Sequence, residues 1–390
     1  MPGNELIGKE ELKEINEIFK VSDGVLFAHG FDKRRKNIFR VRNFERNLKR
    51  YFKSKYVLCV TSGTAAIKIA LKACGVKPGD EVITQAFNFI ATVEAIVDIG
   101  ATPIITNIDD TLNMCPNDLL KKITKRTKAV IPVHMLGFSS NISLIEKICK
   151  QKKIKLVEDN CESIGGKYKN KFLGNFGDVG IMSFDFGKNI TTGEGGCILT
   201  NNKKIYEYCN QYHDHGHELN PKFSRGMDTV SRPGFNYRMT ELQGAVGIAQ
   251  LKKLNFILAE NKKRYNLLLR VLSKKFKIRY KIKDSIASMD TFMFEVPDNK
   301  KRSNIVNYLR KSGMGIKNVP DAIRWHFASY WQHAISKKQI RSIKMSKEKI
   351  ERYIAIPISI KVSKQTYSKV AKKIISFYWS FLKNNPKMIS

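Results

Sequence analysis

The sequence predicts an α/β fold with a mostly parallel sheet covered by helices, followed by a smaller α+β region. Two observations support this prediction. Between residues 56 and 200, short apolar segments of strand length alternate with amphipathic segments of helical period, as in parallel sheets with helices on both faces. Beyond residue 240, the pattern changes to a long helical stretch followed by a few short elements.

The alternating part of the chain contains strands that are bounded by turn-forming or polar residues, as buried strands usually are. The predicted strands cover residues 56–61, 81–84, 102–106, 129–132, 154–157 and 179–184. The predicted helices between them cover residues 64–74, 89–99 and 142–151. Because ligands of such sheets bind at the carboxyl ends of the strands, we expect functional residues where these strands end.

The C-terminal part is predicted to form a smaller α+β domain. Its predicted elements are a helical stretch at residues 241–253 and 259–274, a strand at 290–296, a helix at 303–312 and a closing helix in the Lys- and Ile-rich tail. We therefore place a large domain at residues 1–255 and a small domain at residues 256–390. Residues 1–30 are candidates to pack on the small domain.

Composition places the chain among globular proteins, because 390 residues that are 42% hydrophobic can form a large core and two domains. There is no apolar run of about 18 residues, so we expect no membrane insertion. The start, Met1-Pro2-Gly3, does not have the pattern of a signal or transit peptide. The seven cysteines are scattered without a C-x-x-C pair, which predicts reduced thiols in a cytoplasmic protein.

The net charge of +35 raises the question of nucleic-acid binding. The basic residues are spread over the whole chain, however, and no RRM, KH, zinc-finger or basic-zipper pattern accompanies them. We therefore interpret the charge as a solvated, lysine-rich surface and expect no nucleic-acid partner. Part of the charge can still steer an anionic substrate.

One lysine, Lys188, has a sequence setting suited to covalent catalysis. It follows the predicted strand 179–184 and precedes a Thr/Gly-rich turn, and Asp159 ends another strand upstream. A lysine amine attacks carbonyl groups, and a buried carboxylate keeps a pyridinium nitrogen protonated. Pyridoxal phosphate (PLP) requires these two groups, so we predict PLP as cofactor and Lys188 and Asp159 as catalytic residues. A helix cap is the alternative role for Asp159.

Three further motifs have both a functional and a structural interpretation. Ser62-Gly63-Thr64 lies between a strand and a helix start, where it either binds phosphate or caps the helix. Phe89 follows the next strand and either stacks on a cofactor ring or belongs to the core. The His-rich run at residues 212–217 suggests a metal site, but no cysteine or acidic set completes one. We expect no metal and interpret this run as a substrate-facing loop.

In their order and spacing, these motifs resemble those of the DegT/DnrJ/EryC1/StrS family of PLP-dependent sugar aminotransferases, which have the aspartate-aminotransferase fold (PLP fold type I). The resemblance spans nearly the whole chain. It is carried by residues 61–66, 87–96, 132–134, 158–159, 165–166, 177–180, 183–184, 188–196 and 234–244.

The resemblance implies that Lys188 forms a Schiff base with the cofactor, that Asp159 binds the pyridine nitrogen and that Phe89 stacks on the ring. It also implies a homodimer with shared active sites. The implied cofactor-binding residues are Ser62, Gly63, Thr64, Phe89, Asp159, Glu162, Ser183, Lys188 and, from the second subunit, Asn236. Glu162 departs from the glutamine that the family usually has at this position, where it contacts the phenolic oxygen of the cofactor.

A narrower set of segments resembles the 8-amino-3,8-dideoxy-manno-octulosonate (Kdo8N) aminotransferases of lipopolysaccharide biosynthesis. These segments are residues 1–3, 31–32, 133–135, 183–185, 214–217 and 325–326. The resemblance implies amino transfer from L-glutamate to the 8-aldehyde of an oxidised octulosonate. The candidate substrate-binding residues are His29, His215, Arg238, Trp325 and His326.

Other functions remain open on the sequence. A nucleotide-diphosphate-ketosugar aminotransferase for surface glycans is the first alternative. A PLP-dependent sugar 3-dehydratase is less favoured, because that branch of the family replaces the lysine with histidine. A catalytically silent PLP-binding regulator and a basic nucleic-acid-binding protein are the alternatives outside enzymology.

Overall fold

The molecule is built around a seven-stranded sheet, with smaller sheets of three and two strands. The computed structural model describes residues 2–384 except residues 219, 221 and 224–226. Its strands, in chain order, are β1 (Tyr56–Val60), β2 (Glu81–Gln85), β3 (Thr102–Thr106), β4 (Thr127–Val130), β5 (Lys155–Asp159), β6 (Lys167–Tyr168), β7 (Lys171–Phe172), β8 (Val179–Ser183), β9 (Gly196–Thr200), β10 (Ser285–Ile286), β11 (Thr291–Glu295) and β12 (Tyr353–Pro357).

The strands of the large sheet follow the order β1-β9-β8-β5-β4-β2-β3. All neighbouring pairs from β8 to β3 are parallel, whereas β9 runs antiparallel to both β8 and β1. The predicted α/β fold with a mostly parallel sheet is therefore confirmed. The predicted strands differ from the observed ones by only a residue or two at their ends.

Helices cover both faces of this sheet and surround the small sheet formed by β11 and β12. In chain order they are α1 (Pro2–Glu5), α2 (Lys9–Val21), α3 (Arg40–Phe52), α4 (Gly63–Ala73), α5 (Ala91–Asp98), α6 (Pro116–Lys122), α7 (Ile142–Lys152), α8 (Lys203–Tyr212), α9 (Glu241–Leu272), α10 (Asn299–Lys311), α11 (Ile323–His326), α12 (Lys337–Ser342), α13 (Lys344–Ile350) and α14 (Lys364–Asn384). Among the described helices, none combines the length and the apolar character needed to cross a membrane.

The two faces of the large sheet bury alternate residues of the same strands, as the period of a strand requires. Leu58 and Val60 of β1 pack with α4 and α8 on one face. Val57 and Cys59 pack with α3 and α9 on the other face. A separate core joins β11 and β12 to α10, α14 and the C-terminal half of α9.

Helix α9 links the large and small sheets as one unbroken helix of 32 residues. Thr240 caps its first turn, because the Thr240 hydroxyl accepts from the N–H of Gln243 and the Gln243 side chain accepts from the N–H of Thr240. The helix passes through the predicted domain boundary at residue 255, so the division into two domains stays a prediction. The N-terminal segment contacts the C-terminal region, where the Glu5 carboxylate accepts from the N–H of Ile360 at 2.7 Å.

Candidate active site

A cavity of about 410 Å³ lies where β5 and β8 end and where α4 and α5 begin. It contains most of the residues that the sequence singles out. The predicted residues that line it are Ser62, Gly63, Thr64, Phe89, Asp159, Glu162, Ser183, Lys188 and His326. The topology brings them together because the carboxyl ends of parallel strands meet at one edge of the sheet.

Lys188 projects into this cavity and forms an ion pair with Glu162. The exposed fraction is 17% for the lysine side chain and 9% for the glutamate side chain. Burial raises the pKa of Glu162, but the charges of Lys188 and Lys317 outweigh burial and lower it to about 2. Burial lowers the pKa of Lys188, yet Glu162 raises it above the usual range of a lysine. The amine is therefore held as a cation.

Asp159 presents its carboxylate to the same cavity from the end of β5. One oxygen accepts from the hydroxyl of Thr92 at 3.0 Å, and the other accepts from the N–H of Cys161 at 3.1 Å. Asp159 is 4% exposed and Thr92 is 1% exposed. The N–H of Cys161, two residues along the chain, and the Thr92 hydroxyl on α5 therefore fix the orientation of this carboxylate.

Glu158 lies beside Asp159 in sequence but on the opposite face of the sheet. Its carboxylate accepts from the N–H groups of Gly174 and Gly177, at 3.0 and 2.7 Å, and also from that of Phe176. It lies 3.2 Å from Nε2 of His134. Since Nδ1 of His134 accepts from the N–H of Ser140, Nε2 carries the ring proton and donates to Glu158. His134, which belongs to the motif at residues 132–134, therefore has a structural role here.

The start of α4 forms a narrow, polar end of the cavity. The Ser62 hydroxyl caps the helix by accepting from the N–H of Ala65 at 3.1 Å. A Cβ atom on Gly63 would lie 2.9 Å from the Ser183 Cβ, so glycine is required for this close approach. The first N–H groups of a helix and nearby hydroxyls bind phosphate well. The capping and phosphate-binding interpretations of this motif are thus compatible.

The remaining wall of the cavity comes from Phe89 and from the segment before and within α11. The rings of Phe89 and His326 lie 5.3 Å apart at an angle of 42°. The N–H of Asn88 donates to the carbonyl of His326 at 3.0 Å, which ties the two segments together. Burial lowers the pKa of His326, so the neutral imidazole is favoured there.

Several residues that line the cavity were not predicted from the sequence. Lys317 forms a buried ion pair with Asp290 at 2.7 Å. The amide Nδ2 of Asn318 is buried without a hydrogen-bond partner among the described residues. Thr92 lies within the motif at residues 87–96. A polar residue in a mostly apolar helix could have indicated that this side chain has a polar partner in the site. Lys317 and Asn318 follow α10 and have no comparable signal in the sequence.

Other predicted residues do not line this cavity within one chain. His29 and Arg238 line a separate cavity of about 250 Å³. There, Arg238 pairs with Asp214, whose other oxygen lies 3.4 Å from Nε2 of His29. His215 is exposed, and Asn236 lies on the neighbouring segment, where it bridges to Asp214. Trp325 is 60% exposed beside the Lys188 cavity.

The His-rich run does not gather into a metal site in the part of the chain that the structure describes. Across those residues, no group of three or more His, Cys, Asp or Glu side chains is placed to hold a metal ion. His213 instead hydrogen-bonds the carbonyl of Asn210 at 2.6 Å.

Comparison with known proteins identifies a family and several similar proteins. The model of the DegT/DnrJ/EryC1/StrS aminotransferase family matches residues 33–375. The chain is 38% identical over 214 residues to the GDP-perosamine synthase of Escherichia coli O157:H7. The matched residues are 55% of this chain and 57% of that protein. It is 36% identical over 259 residues to the spore coat polysaccharide biosynthesis protein SpsC of Bacillus subtilis (strain 168), covering 64% and 63%. The matched region spans about three fifths of the length of these relatives.

The fold also has close structural neighbours. The structure of an aminotransferase from Psychrobacter cryohalolentis superposes with a TM-score of 0.85 at 23% identity, covering 96% of this chain and 98% of that chain. The expected PLP fold type I is thus confirmed.

Proposed function

Because the chain belongs to the DegT/DnrJ/EryC1/StrS aminotransferase family, we propose that it transfers an amino group to the keto or aldehyde carbon of a sugar. Pyridoxal phosphate is the cofactor of this family. The observation that carries the proposal is the position of Lys188, whose amine shares one cavity with the Asp159 carboxylate and the polar start of α4. A carbonyl-reactive amine, a carboxylate and a phosphate cradle are the groups that PLP requires.

The residues that line the cavity fit the cofactor. Gly63 and Thr64, with Ser183 opposite them, would hold the phosphate, since Gly63 leaves room for a close approach. Asp159 would hold the pyridine nitrogen, and Phe89 would contact the ring face. When bound, the cofactor supplies an electron sink for the negative charge that develops on the substrate carbon.

The side chains of the chain itself would bind, orient and move protons. Thr92 holds the Asp159 carboxylate in place by donating its hydroxyl proton. Lys188 is the base that would move a proton at the substrate carbon, because its side chain lines the same cavity as Asp159 and a lysine amine can gain and lose a proton. His326 and Phe89 form an aromatic wall on one side of the cavity.

We propose L-glutamate as amino donor and distinguish two classes of sugar acceptor. GDP-perosamine synthase among the relatives favours a nucleotide-linked sugar. The segments shared with the Kdo8N aminotransferases favour a carboxylated octulosonate of lipopolysaccharide. A buried carboxylate needs a cation or several donors. In the cavity wall, Lys317 is paired with Asp290, and the amide Nδ2 of Asn318 has no hydrogen-bond partner among the described residues.

We also propose that two copies of the chain share their active sites. Asn236, Arg238, His29 and His215 lie outside the cavity of their own chain, although the family resemblance gives Asn236 a role in it. The neighbouring loop also exposes large apolar side chains. These are Phe223, Met227, Val230 and Phe235, which are 51%, 74%, 59% and 47% exposed. A second copy would cover this apolar surface and bring the polar residues to the partner's cavity.

The absorbance spectrum of the purified protein, recorded before and after addition of L-glutamate, tests the proposed function. We expect a visible band of lysine-bound cofactor that falls while a near-ultraviolet band rises. Candidate acceptors, nucleotide-linked or carboxylated, are then compared by the recovery of the visible band. A protein that takes up no PLP would contradict the proposal.

A further inference from the structure

The ion pair between Lys188 and Glu162 is nearly closed to solvent and lines the cavity of the candidate site. The two side chains are 17% and 9% exposed. Other titratable groups surround them on several elements. These groups are Asp159, Cys161, Asp185, Glu194, Lys317 and His326.

The neighbouring charged side chains have other partners that hold them away from the lysine amine. Asp159 accepts from Thr92 and from the N–H of Cys161. Asp185 accepts from the N–H of Gly187 at 2.8 Å. Lys317 is bound to Asp290 at 2.7 Å. Glu162 is therefore the carboxylate in direct contact with Lys188 among the residues that the structure describes.

We propose that Glu162 is a positioning residue that holds the Lys188 ammonium group in place before the cofactor binds and so restrains the lysine from releasing its proton. Schiff-base formation would require the ammonium group to lose this proton to solvent first. The neutral amine would then bond to the aldehyde carbon of the cofactor, and the aldehyde oxygen would leave as water. The inference rests on the proposed function, because it takes that aldehyde as the partner of the lysine.

The physical reason is that an ammonium group has no lone pair with which to attack a carbonyl. The fraction of neutral amine changes about tenfold for each unit by which the pH differs from the pKa. A glutamine at residue 162 would accept a hydrogen bond but carry no charge, so it would lose most of the attraction that holds the proton on Lys188. Glu162 should therefore set the pH range in which the protein captures its cofactor.

The first test measures the protonation of Lys188 in the cofactor-free protein. Competitive labelling with acetic anhydride between pH 7 and 11 is followed by mass spectrometry, with the exposed Lys311 as internal reference. In the wild type, we expect Lys188 to become reactive at higher pH than Lys311. In Glu162→Gln, the midpoint should fall by at least about one pH unit. Glu194→Gln removes the same charge from the same cavity without touching Lys188, and it should leave the midpoint unchanged.

The second test follows the visible band after PLP is added at pH 7 to 9. We expect this band to form faster in Glu162→Gln than in the wild type. The rate should rise roughly tenfold for each pH unit by which the substitution lowers the labelling midpoint of Lys188. A Lys188 midpoint that is the same in Glu162→Gln and wild type would overturn the inference. If the variant does not fold, the wild-type titration still decides, because a midpoint at or below that of Lys311 would also overturn it.

The two experiments separate this inference from the proposed function. A midpoint that shifts in a protein that never takes up PLP would contradict the function and support the role of Glu162 in holding the proton. PLP bound to Lys188 with no shift in midpoint would support the function and contradict the role of Glu162.

Discussion

Glu158 and Asp159 end the same strand, but the sheet places their carboxylates in two different regions. On one face, Glu158 is fully buried and accepts from three backbone N–H groups of residues 174–177 and from His134. On the other face, Asp159 accepts from Thr92 and from the N–H of Cys161 and lines the cavity of Lys188. Glu158 thus fastens a loop, whereas Asp159 presents a charge to a space that a ligand can fill.

The difference shows that burial and charge alone do not identify a functional carboxylate. A carboxylate offers about four acceptor positions, and Glu158 uses them on protein donors. Asp159 keeps acceptor capacity toward the cavity, and its two protein partners hold it in one orientation. The partners of a buried acid therefore separate a structural role from a catalytic one better than its exposure does.

Replacing Lys188 by alanine should have the largest effect on the side of the sheet that carries Asp159 and the cavity. We expect loss of covalent cofactor attachment and of transaminase activity, because Lys317, the other described lysine that lines the cavity, is paired with Asp290. Borohydride reduction of the PLP-treated protein followed by mass spectrometry should show added cofactor mass at Lys188 in the wild type and none in Lys188→Ala. Attachment at another lysine together with full activity would contradict the assignment.

Asp159→Asn should keep the shape of the site and remove its charge. We expect the glutamate half-reaction to slow by about 10²–10³-fold, the usual effect of removing one preorganised electrostatic contact. Stopped-flow decay of the visible band measures this rate. Unfolding by urea serves as the control, since an equal loss of stability would mean that Asp159 has the same structural role as Glu158.

Glu158→Gln should have the opposite profile. Its amide nitrogen would face backbone N–H groups or the Nε2–H of His134, so at least one buried donor would lose its acceptor. We expect the free energy of unfolding to fall by about 3 kcal/mol or more, measured by urea denaturation. The exposed Glu348→Gln is the matched control, and it should change the free energy of unfolding by less than about 0.5 kcal/mol. If the Glu158→Gln protein were as stable as the wild type but slow in the glutamate half-reaction, Glu158 would have a catalytic role and the structural role assigned to it would be wrong.

Thr92→Val should have the smallest effect on the half-reaction. It tests whether the Thr92 hydroxyl orients the Asp159 carboxylate. It removes the hydroxyl that lies 3.0 Å from Asp159 and 3.2 Å from the Asn88 amide oxygen. A hydrogen bond is worth about 0.5–1.5 kcal/mol, so we expect the half-reaction to slow only several-fold. Thr92→Ser keeps the hydroxyl and should retain most of the wild-type rate. If valine and serine behave alike, the hydroxyl does not orient Asp159.

The sequence predicts the cavity best where strands lead into turns, because Lys188, Asp159 and Ser62 to Thr64 each follow a recognisable strand. It predicts Asp159 as the catalytic acid but gives no role to Glu158, because the loop at residues 174–177 that binds the Glu158 carboxylate comes to it only through folding. Lys317 and Asn318 reach the cavity only through tertiary folding, which no local pattern records. The family resemblance supplied roles for Asn236 and Phe89 that the residues alone left open, and those roles remain proposals.

Helix α9 contacts the segment that follows Lys188 and also extends far from the cavity. At 32 residues it spans about 48 Å. Its side chains grip the segment just after Lys188 at two points, where Gln250 accepts from the N–H of Thr191 and Asn261 donates to Asn189, both at 3.2 Å. Its far end is buried among β11, α10 and α14. Gln250 and Asn261 are eleven residues apart, so the two contacts span about 17 Å of the helix axis. One continuous helix therefore joins the core around the small sheet to the segment that follows the amine.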